Sequence, residues 1–137
     1  MSQKRPNRVH GGRHDEFWAR CAEGELHVQR CGSCGELAWP VVDACELCGS
    51  QDLAFERMSG KGRLISWCTF ERDYYRGLLP IPWPTILVAL DEGPLFVSNP
   101  QGFGEEDYAL DMPLRVTFLD CEDDAGAFRL PVFERDA

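Results

Sequence analysis

Apolar residues recur at helical spacing near the N-terminus of this chain. Between residues 13 and 23 they are Phe17, Trp18, Cys21 and Ala22, which predicts a helix from Arg13 to Glu23 that ends at Gly24. A single helix of this length is marginal by itself, so the Phe17–Trp18 pair needs a surface to bury against. That surface is either the chain's own metal module or another subunit.

Beyond Gly24 the pattern changes to short alternating segments, which predict strands. They are Glu25–Arg30, an extended Leu37–Val42, Asp52–Met58, Arg63–Phe70, Pro84–Leu90, Leu95–Ser98, Pro113–Leu119 and Phe128–Phe133. The five strands after Ser59, separated by turn signals, indicate an OB-type barrel. The sequence therefore predicts a mainly β chain in three parts: a tail and helix (1–24), a metal ribbon (25–58) and an OB-fold (59–137).

Two CxxC pairs, Cys31/Cys34 and Cys45/Cys48, lie on either side of a ten-residue spacer. Two such turns can close a tetrahedral cage of four thiolates around one structural metal ion. Zinc is the predicted metal, although spacing alone does not separate it from iron. Two disulfides or a redox CxxC fit less well, because a thioredoxin-type motif has one CxxC at a helix start in a βαβ unit.

Charge and composition narrow the class of protein. The formal net charge is -9 and the sequence pI is about 4.7, which argues against nucleic-acid binding. The polar residues 1–13 lack the apolar core of a signal peptide, and no apolar run reaches the length of a membrane span. We therefore expect a cytoplasmic protein.

Neither the N-terminal residues nor the remaining cysteines form a recognisable motif in the sequence. Residues 1–12 are predicted to be disordered or peripheral. The basic residues of this stretch could meet an anion, but a solvated tail is favoured; they are Lys4, Arg5, Arg8 and Arg13. Three cysteines remain outside the CxxC pairs, namely Cys21, Cys68 and Cys121. An odd number of remaining cysteines is expected of reduced thiols in the cytoplasm. We therefore predict that all three side chains serve as apolar filler.

The connection between residues 71 and 83 is unusually apolar for a surface loop. It contains Tyr74, Tyr75, Leu78, Leu79, Ile81 and Trp83, and it is stiffened by Pro80, Pro82 and Pro84. One interpretation is a plug folded over the barrel mouth; the other is a surface for a partner or a ligand. Arg72 and Arg76 flank the tyrosines and would either meet a phosphate or pair with Glu71 and Asp73.

The order of motifs resembles a known family. It runs from a Phe-Trp helix through a Gly-Glu-Leu strand, Arg-Cys-Gly-Ser-Cys-Gly, Trp-Pro, Cys-Glu-Leu-Cys-Gly-Ser, Ser-Gly-Lys-Gly-Arg and Asp-Glu-Gly-Pro to Met-Pro-Leu-Arg-Val. This order is similar to the OB-fold proteins with an N-terminal rubredoxin-like zinc ribbon, known as domain-of-unknown-function family thirty-five. The resemblance covers residues 15–133 and is specific in its order more than in any single motif.

The resemblance implies a companion subunit of thiolase-superfamily enzymes, such as β-ketoacyl-CoA thiolases, acyltransferases and aldolases. Such a subunit docks on the thiolase-fold catalytic subunit in a hetero-oligomer and helps to shape or bind the acyl-CoA site. The predicted partner or CoA-ester contacts in this chain are Phe17, Trp18, Arg72, Tyr74, Tyr75, Arg76, Leu79, Ile81 and Trp83.

The residues themselves show no convincing catalytic constellation, which agrees with a non-catalytic subunit. The paired carboxylates lie at turns, and Gly60-Lys61-Gly62 is too short for a phosphate-binding loop. Two alternatives remain from the modules alone: a single-stranded nucleic-acid-binding protein and a rubredoxin-like iron electron carrier.

Overall fold

A computed structural model describes residues 2–136 of the chain. Its elements in order are β1 (Gln3–Lys4), α1 (His14–Ala22), β2 (His27–Cys31), β3 (Leu37–Ala38), β4 (Leu53–Arg57), β5 (Lys61–Phe70), β6 (Trp83–Leu90), β7 (Leu95–Ser98), a 3-10 turn (Glu105–Asp107), β8 (Pro113–Asp123) and β9 (Gly126–Arg135). The mainly β class is confirmed. The extended segment predicted over Leu37–Val42 is wrong beyond Ala38, because the chain turns there toward the second cysteine pair.

The strands form two sheets. The small sheet has the order β3-β2-β4, and all its pairs are antiparallel. In the large sheet the order is β1-β8-β5-β6-β7, and β9 pairs with β8 along nearly its whole length, from Leu114 to Asp123. A bridge between Pro100 and Phe133 joins the end of β7 to β9 and closes the five strands β5 to β9 into the predicted OB-type barrel.

The β5–β6 hairpin continues past the barrel wall. Its pairs run from Gly62↔Leu90 to Phe70↔Trp83, whereas β5 pairs with β8 only from Lys61 to Arg63. Gly62 is required at the start, because a Cβ there would lie 2.6 Å from the Ala89 carbonyl oxygen. The distal half of the hairpin therefore projects, and residues 71–82 at its tip form what we call the arm loop.

Helix α1 joins the ribbon to the barrel. Phe17 is only 3% exposed and belongs to one core with residues of β2, β5, β6 and β9. Its ring lies 4.8 Å from Trp39 of the ribbon, and Trp18 lies 5.3 Å from Phe128 of the barrel. The Phe17–Trp18 pair thus buries against its own chain. The three-part division at residues 24 and 58 stays a prediction.

The N-terminal segment is the clearest difference from the sequence-based expectation. Gln3 and Lys4 form a parallel strand with Cys121 and Glu122 of β8, and the Arg5 amide donates to the Glu122 carbonyl at 3.0 Å. Residues 2–12 are not a solvated tail, because their arginines lie on aromatic rings of the barrel and helix. Met1 lies outside the described residues.

The three remaining cysteines differ from one another. Cys21 and Cys121 are fully buried, as expected of apolar filler, but Cys68 is exposed on the projecting half of β5, so that expectation is wrong for it. Within residues 2–136, no helix is long and apolar enough to cross a membrane.

Candidate functional site: a four-cysteine metal centre and an aromatic cavity

The structure brings the four predicted metal ligands together. The sulfur atoms of Cys31, Cys34, Cys45 and Cys48 all lie within 4.8 Å of one another. Two of the Sγ–Sγ distances, Cys31 to Cys48 and Cys34 to Cys45, are both 3.6 Å. Four sulfurs placed tetrahedrally at about 2.3 Å from one ion are separated by about 3.8 Å, so the cage has the size that a metal requires.

Each CxxC pair sits in the same backbone turn. The Gly35 amide donates to the Cys31 carbonyl at 2.9 Å, and the Gly49 amide donates to the Cys45 carbonyl at 2.8 Å. Both glycines have φ of 80°, a left-handed conformation that glycine adopts without a Cβ penalty. The repeated turn explains why a glycine follows each pair in the sequence.

Backbone amides also prepare two of the four sulfurs, those of Cys31 and Cys45, to bind a cation. Hydrogen bonds from the Cys34 and Ser33 amides lower the pKa of Cys31 to about 6. Those from the Cys48 and Leu47 amides lower the pKa of Cys45. Thiolates are the form that binds the metal. With four protein ligands no coordination position is left for substrate, so the ion is structural.

The second feature is a cavity of about 760 Å³ between α1, the N-terminal segment, the barrel and the arm loop. It is lined by eight of the nine predicted contact residues, namely Phe17, Trp18, Arg72, Tyr74, Tyr75, Leu79, Ile81 and Trp83. Arg76 does not line it. Residues of the helix and residues of the arm loop, which are distant in the sequence, therefore line the same cavity.

The loop residues divide between the interior and the surface. Leu79 is 7% exposed and anchors the arm loop, whereas Tyr74 and Tyr75 are 64% and 52% exposed. Asp73 holds the turn by accepting hydrogen bonds from the Tyr75 and Gly77 amides. The arm loop thus combines the two interpretations: it covers part of the cavity and also presents aromatic rings to solvent.

The sequence-based interpretation favoured a solvated tail for two arginines that lie in the cavity wall. The Arg5 guanidinium carbon lies 4.9 Å from the centre of the Trp83 ring, and one of its nitrogens donates to Asn99 Oδ1 at 3.1 Å. Arg8 lies 4.4 Å from the Phe128 ring centre, with its Nε 3.4 Å from an Asp123 oxygen. No local signal marks these contacts, because their partners are about a hundred residues away in the chain.

Most of the remaining lining residues are apolar or small, and most come from the barrel face. They include Trp39 of the ribbon with Phe70, Thr85, Phe96, Val97, Ser98, Phe128, Leu130 and Pro131. Three of the four tryptophans, Trp18, Trp39 and Trp83, line the cavity, and Trp67 does not. The cavity is therefore an aromatic chamber with arginines at its rim.

Two protein families match successive parts of the chain. Residues 18–54 match the family described as the ChsH2 rubredoxin-like zinc ribbon domain, and residues 55–119 match the ChsH2 C-terminal OB-fold domain. The first range includes all four cage cysteines, so the structural metal is zinc. This confirms the predicted metal and the predicted order of modules.

Curated relatives match at moderate identity. A probable enoyl-CoA hydratase alpha subunit of Thermomonospora curvata is 29% identical over 88% of this chain. A DUF35 domain-containing scaffold protein of Pyrococcus furiosus is 34% identical over 50% of it. The chain spans 37% and 52% of the length of these two relatives.

A solved structure extends the similarity to nearly the whole chain. It is named Ltp2-ChsH2(DUF35) aldolase and is similar with a TM-score of 0.79 and 26% sequence identity. The match covers 95% of this chain and 100% of that one. Ribbon, helix and barrel therefore share one arrangement with that protein.

Proposed function

We propose that this chain, which belongs to the DUF35 family of proteins with a ChsH2-type zinc ribbon and OB-fold domain, is a non-catalytic accessory subunit of a thiolase-like enzyme. It docks on the catalytic subunit through the arm loop and helps to shape the acyl-CoA site. The name of one relative, a probable enoyl-CoA hydratase alpha subunit, supports a role in handling CoA esters, and the similar solved structure is named as an aldolase.

The observation that carries the proposal is the exposed aromatic surface of the arm loop. Tyr74, Tyr75 and Ile81 face solvent beside the cavity mouth. Contiguous exposed apolar surface of this kind marks interaction sites, and tyrosines are frequent anchors of protein interfaces. Asp73 already fixes the turn through two backbone hydrogen bonds, which lowers the entropic cost of docking.

Six of the seven thiols of the chain, all but the exposed Cys68, support a non-catalytic role. The four cage cysteines hold zinc, and burial raises the pKa of Cys21 to about 12. Burial also raises the pKa of Cys121. A thiol nucleophile needs a lowered pKa or a neighbouring base, so neither buried cysteine is suited to attack a thioester.

The arm loop carries two arginines that differ in position. Arg72 lines the cavity, whereas Arg76 lies outside it, and neither forms an ion pair with a carboxylate among residues 2–136. Both are thus available to an anionic group of the ligand or of the partner subunit.

The test is recovery of the tagged chain from its native host. We expect a thiolase-fold subunit to co-purify in a defined stoichiometry and the pair to turn over an acyl-CoA. The Tyr75→Ala chain should lose that partner, and the Leu110→Ala chain, altered at an exposed leucine outside the arm loop, should retain it. Recovery of the wild-type chain without a thiolase-fold protein overturns the proposal.

A further inference from the structure

We infer that two copies of this chain associate through the projecting half of β5, where residues 65–70 pair antiparallel with the same residues of a second copy. The two-fold axis of this pair passes beside Cys68. The inference does not rest on the proposed function, because the surface involved belongs to β5 and not to the arm loop.

One edge of β5 is unpaired over its distal half. The strand pairs with β6 to its last residue, Phe70, whereas it pairs with β8 only from Lys61 to Arg63. Leu64 still exchanges backbone hydrogen bonds with the loop that precedes β8. Among residues 2–136, no strand pairs with residues 65–70 on that side. We call this stretch the free edge.

The ladder between β5 and β6 shows which backbone groups of the free edge are unused. Pro84, opposite Thr69, has no N–H, and its carbonyl accepts a hydrogen bond of 2.8 Å from the Asn99 side chain. Thr69 therefore exchanges no backbone bond with β6, and the alternation of an antiparallel ladder extends this to Trp67. The N–H and C=O groups of Trp67 and Thr69 consequently point outward from the sheet.

The sequence of the free edge lacks the features that protect exposed strands. Natural edge strands are usually blunted by lysine, by proline or by other charges. Residues 64–70, by contrast, read Leu-Ile-Ser-Trp-Cys-Thr-Phe and contain neither a charge nor a proline. Strand β4, at the end of the small sheet, carries Glu56 and Arg57. The free edge thus has the composition of a segment that pairs with another strand.

The unused groups of the free edge match those of a second copy. In an antiparallel pair centred on Cys68, Trp67 of each copy lies opposite Thr69 of the other, so their N–H and C=O groups are exchanged. A register centred on Trp67 would instead place Thr69 opposite Ile65, where the ladder with β6 is irregular. The free groups therefore select one symmetric register.

Charge also favours this segment as the place of contact. Two copies of a chain with a formal net charge of -9 repel each other over most of their surface. Residues 64–70 carry no charge, so pairing them brings no like charges into direct contact. Because the paired segment is short, we expect the association to depend strongly on concentration.

Side chains on both faces of the joined strands add apolar contact. Trp67, which is 37% exposed, comes beside Thr69 of the second copy. Phe70, which is 44% exposed, comes beside Ser66 of the second copy on the other face. Cross-strand pairs that include an aromatic ring stabilise antiparallel sheets.

Cys68 reports the register of the pair. It lies opposite Thr85 in a pair that bonds to β6, so the two Cys68 residues form a non-hydrogen-bonded pair with Cα atoms about 4.5 Å apart. Disulfides form at Cα separations of about 4.4–6.8 Å. Ser66 is also exposed. In this register, however, the two Ser66 residues are about 14 Å apart along the strands, at about 3.4 Å per residue.

The first measurement is analytical ultracentrifugation of the zinc-loaded full chain from about 1 µM to about 1 mM, where we expect a monomer–dimer equilibrium. Thr69→Lys places a charge on the free edge and should weaken dimerisation at least roughly tenfold. Leu95→Lys introduces the same charge at an exposed residue of β7 and should change it less than about twofold. A chain that stays monomeric, or an equal effect of the two variants, overturns the inference.

The second measurement needs no change on the free edge of the wild-type chain. Diamide takes two electrons and two protons from a pair of thiols to form a disulfide, and peptide mapping counts the crosslink between two Cys68 residues. This crosslink should form at least roughly tenfold faster than the one in the Ser66→Cys, Cys68→Ser chain. Equal rates would indicate random collision and would overturn the inference.

The outcomes separate this inference from the proposed function. A chain that recovers a thiolase-fold subunit but forms neither dimer nor crosslink contradicts pairing with a second copy alone. A chain that dimerises through the free edge but recovers no such subunit contradicts the accessory role alone. If the chain stays monomeric and Thr69→Lys abolishes recovery of that subunit, the free edge belongs to the subunit and the inference is overturned.

Discussion

The Arg5 guanidinium lies over the Trp83 ring in the wall of the aromatic cavity, with the guanidinium carbon 4.9 Å from the ring centre. The contact ties the N-terminal segment to the end of the arm loop. Because β1 pairs with β8, the barrel fixes the position of Arg5. The Arg5 guanidinium in turn packs on the ring of Trp83. The position of the arm loop therefore depends on residues at the far end of the sequence.

The first prediction concerns zinc. Purified chain should contain about one zinc ion, and Cys31→Ser should release it and unfold the ribbon, because apparent binding energies of structural zinc are about 10–16 kcal/mol at pH 7. Metal analysis and circular dichroism provide the measurement. Cys68→Ser, at an exposed cysteine outside the cage, is the control and should retain the zinc. Coloured protein that contains iron would contradict the assignment.

The second prediction concerns the partner surface. Tyr75→Ala should weaken assembly with the catalytic subunit by about 2 kcal/mol or more, as expected at an interface hot spot. Since Tyr75 is 52% exposed, the melting temperature of the isolated chain should hardly change. Calorimetric titration and a thermal melt separate the two effects. A chain that melts lower yet binds normally would favour the plug interpretation instead.

The third prediction concerns the N-terminal segment. Arg8→Ala removes ring contacts with Trp18 and Phe128 and an ion pair with Asp123. The free energy of unfolding should fall by about 1–2 kcal/mol, the scale of a desolvated cation–π contact. Chemical denaturation measures this change. Lys4→Ala, at an exposed neighbour, should remain within about 0.5 kcal/mol of wild type; an equal loss in both variants would contradict the specific role of Arg8.

The fourth prediction concerns thiol reactivity. With zinc bound, Cys68 should react with iodoacetamide at pH 8, whereas Cys21 and Cys121 should be protected. Burial raises the pKa of Cys21 to about 12, so at pH 8 it stays a neutral thiol, the unreactive form. Peptide mapping after a timed reaction identifies the labelled residues. Rapid native labelling of Cys21 would show that its site opens.

The fifth prediction is that the isolated chain does not cleave or form β-ketoacyl-CoA or aldol products. An assay of the zinc-loaded chain, with and without the catalytic subunit, measures this difference. Turnover by the chain alone that is lost in Cys68→Ala or Cys121→Ala would identify a catalytic thiol and contradict the accessory role.

Some features of this protein are determined by local sequence. The CxxC pairs with a following glycine specify their own turns, because the left-handed conformation of Gly35 and Gly49 and the short spacing leave few alternatives. The helix and the barrel strands also follow from periodicity within a few residues. These signals and their order were enough to predict the zinc ribbon and the OB-type barrel, and they singled out eight of the 22 residues that line the aromatic cavity, although not the cavity itself.

Only the tertiary structure decided what the basic N-terminal residues do. In the sequence, Arg5 and Arg8 look like part of a solvated tail, since nothing nearby pairs with them. The folded chain brings Trp83, Asn99, Asp123 and Phe128 to them, and these contacts depend on barrel closure and on the parallel pairing of β1 with β8. Local patterns encode elements, whereas the desolvation and pairing of a charge depend on residues that are distant in the chain.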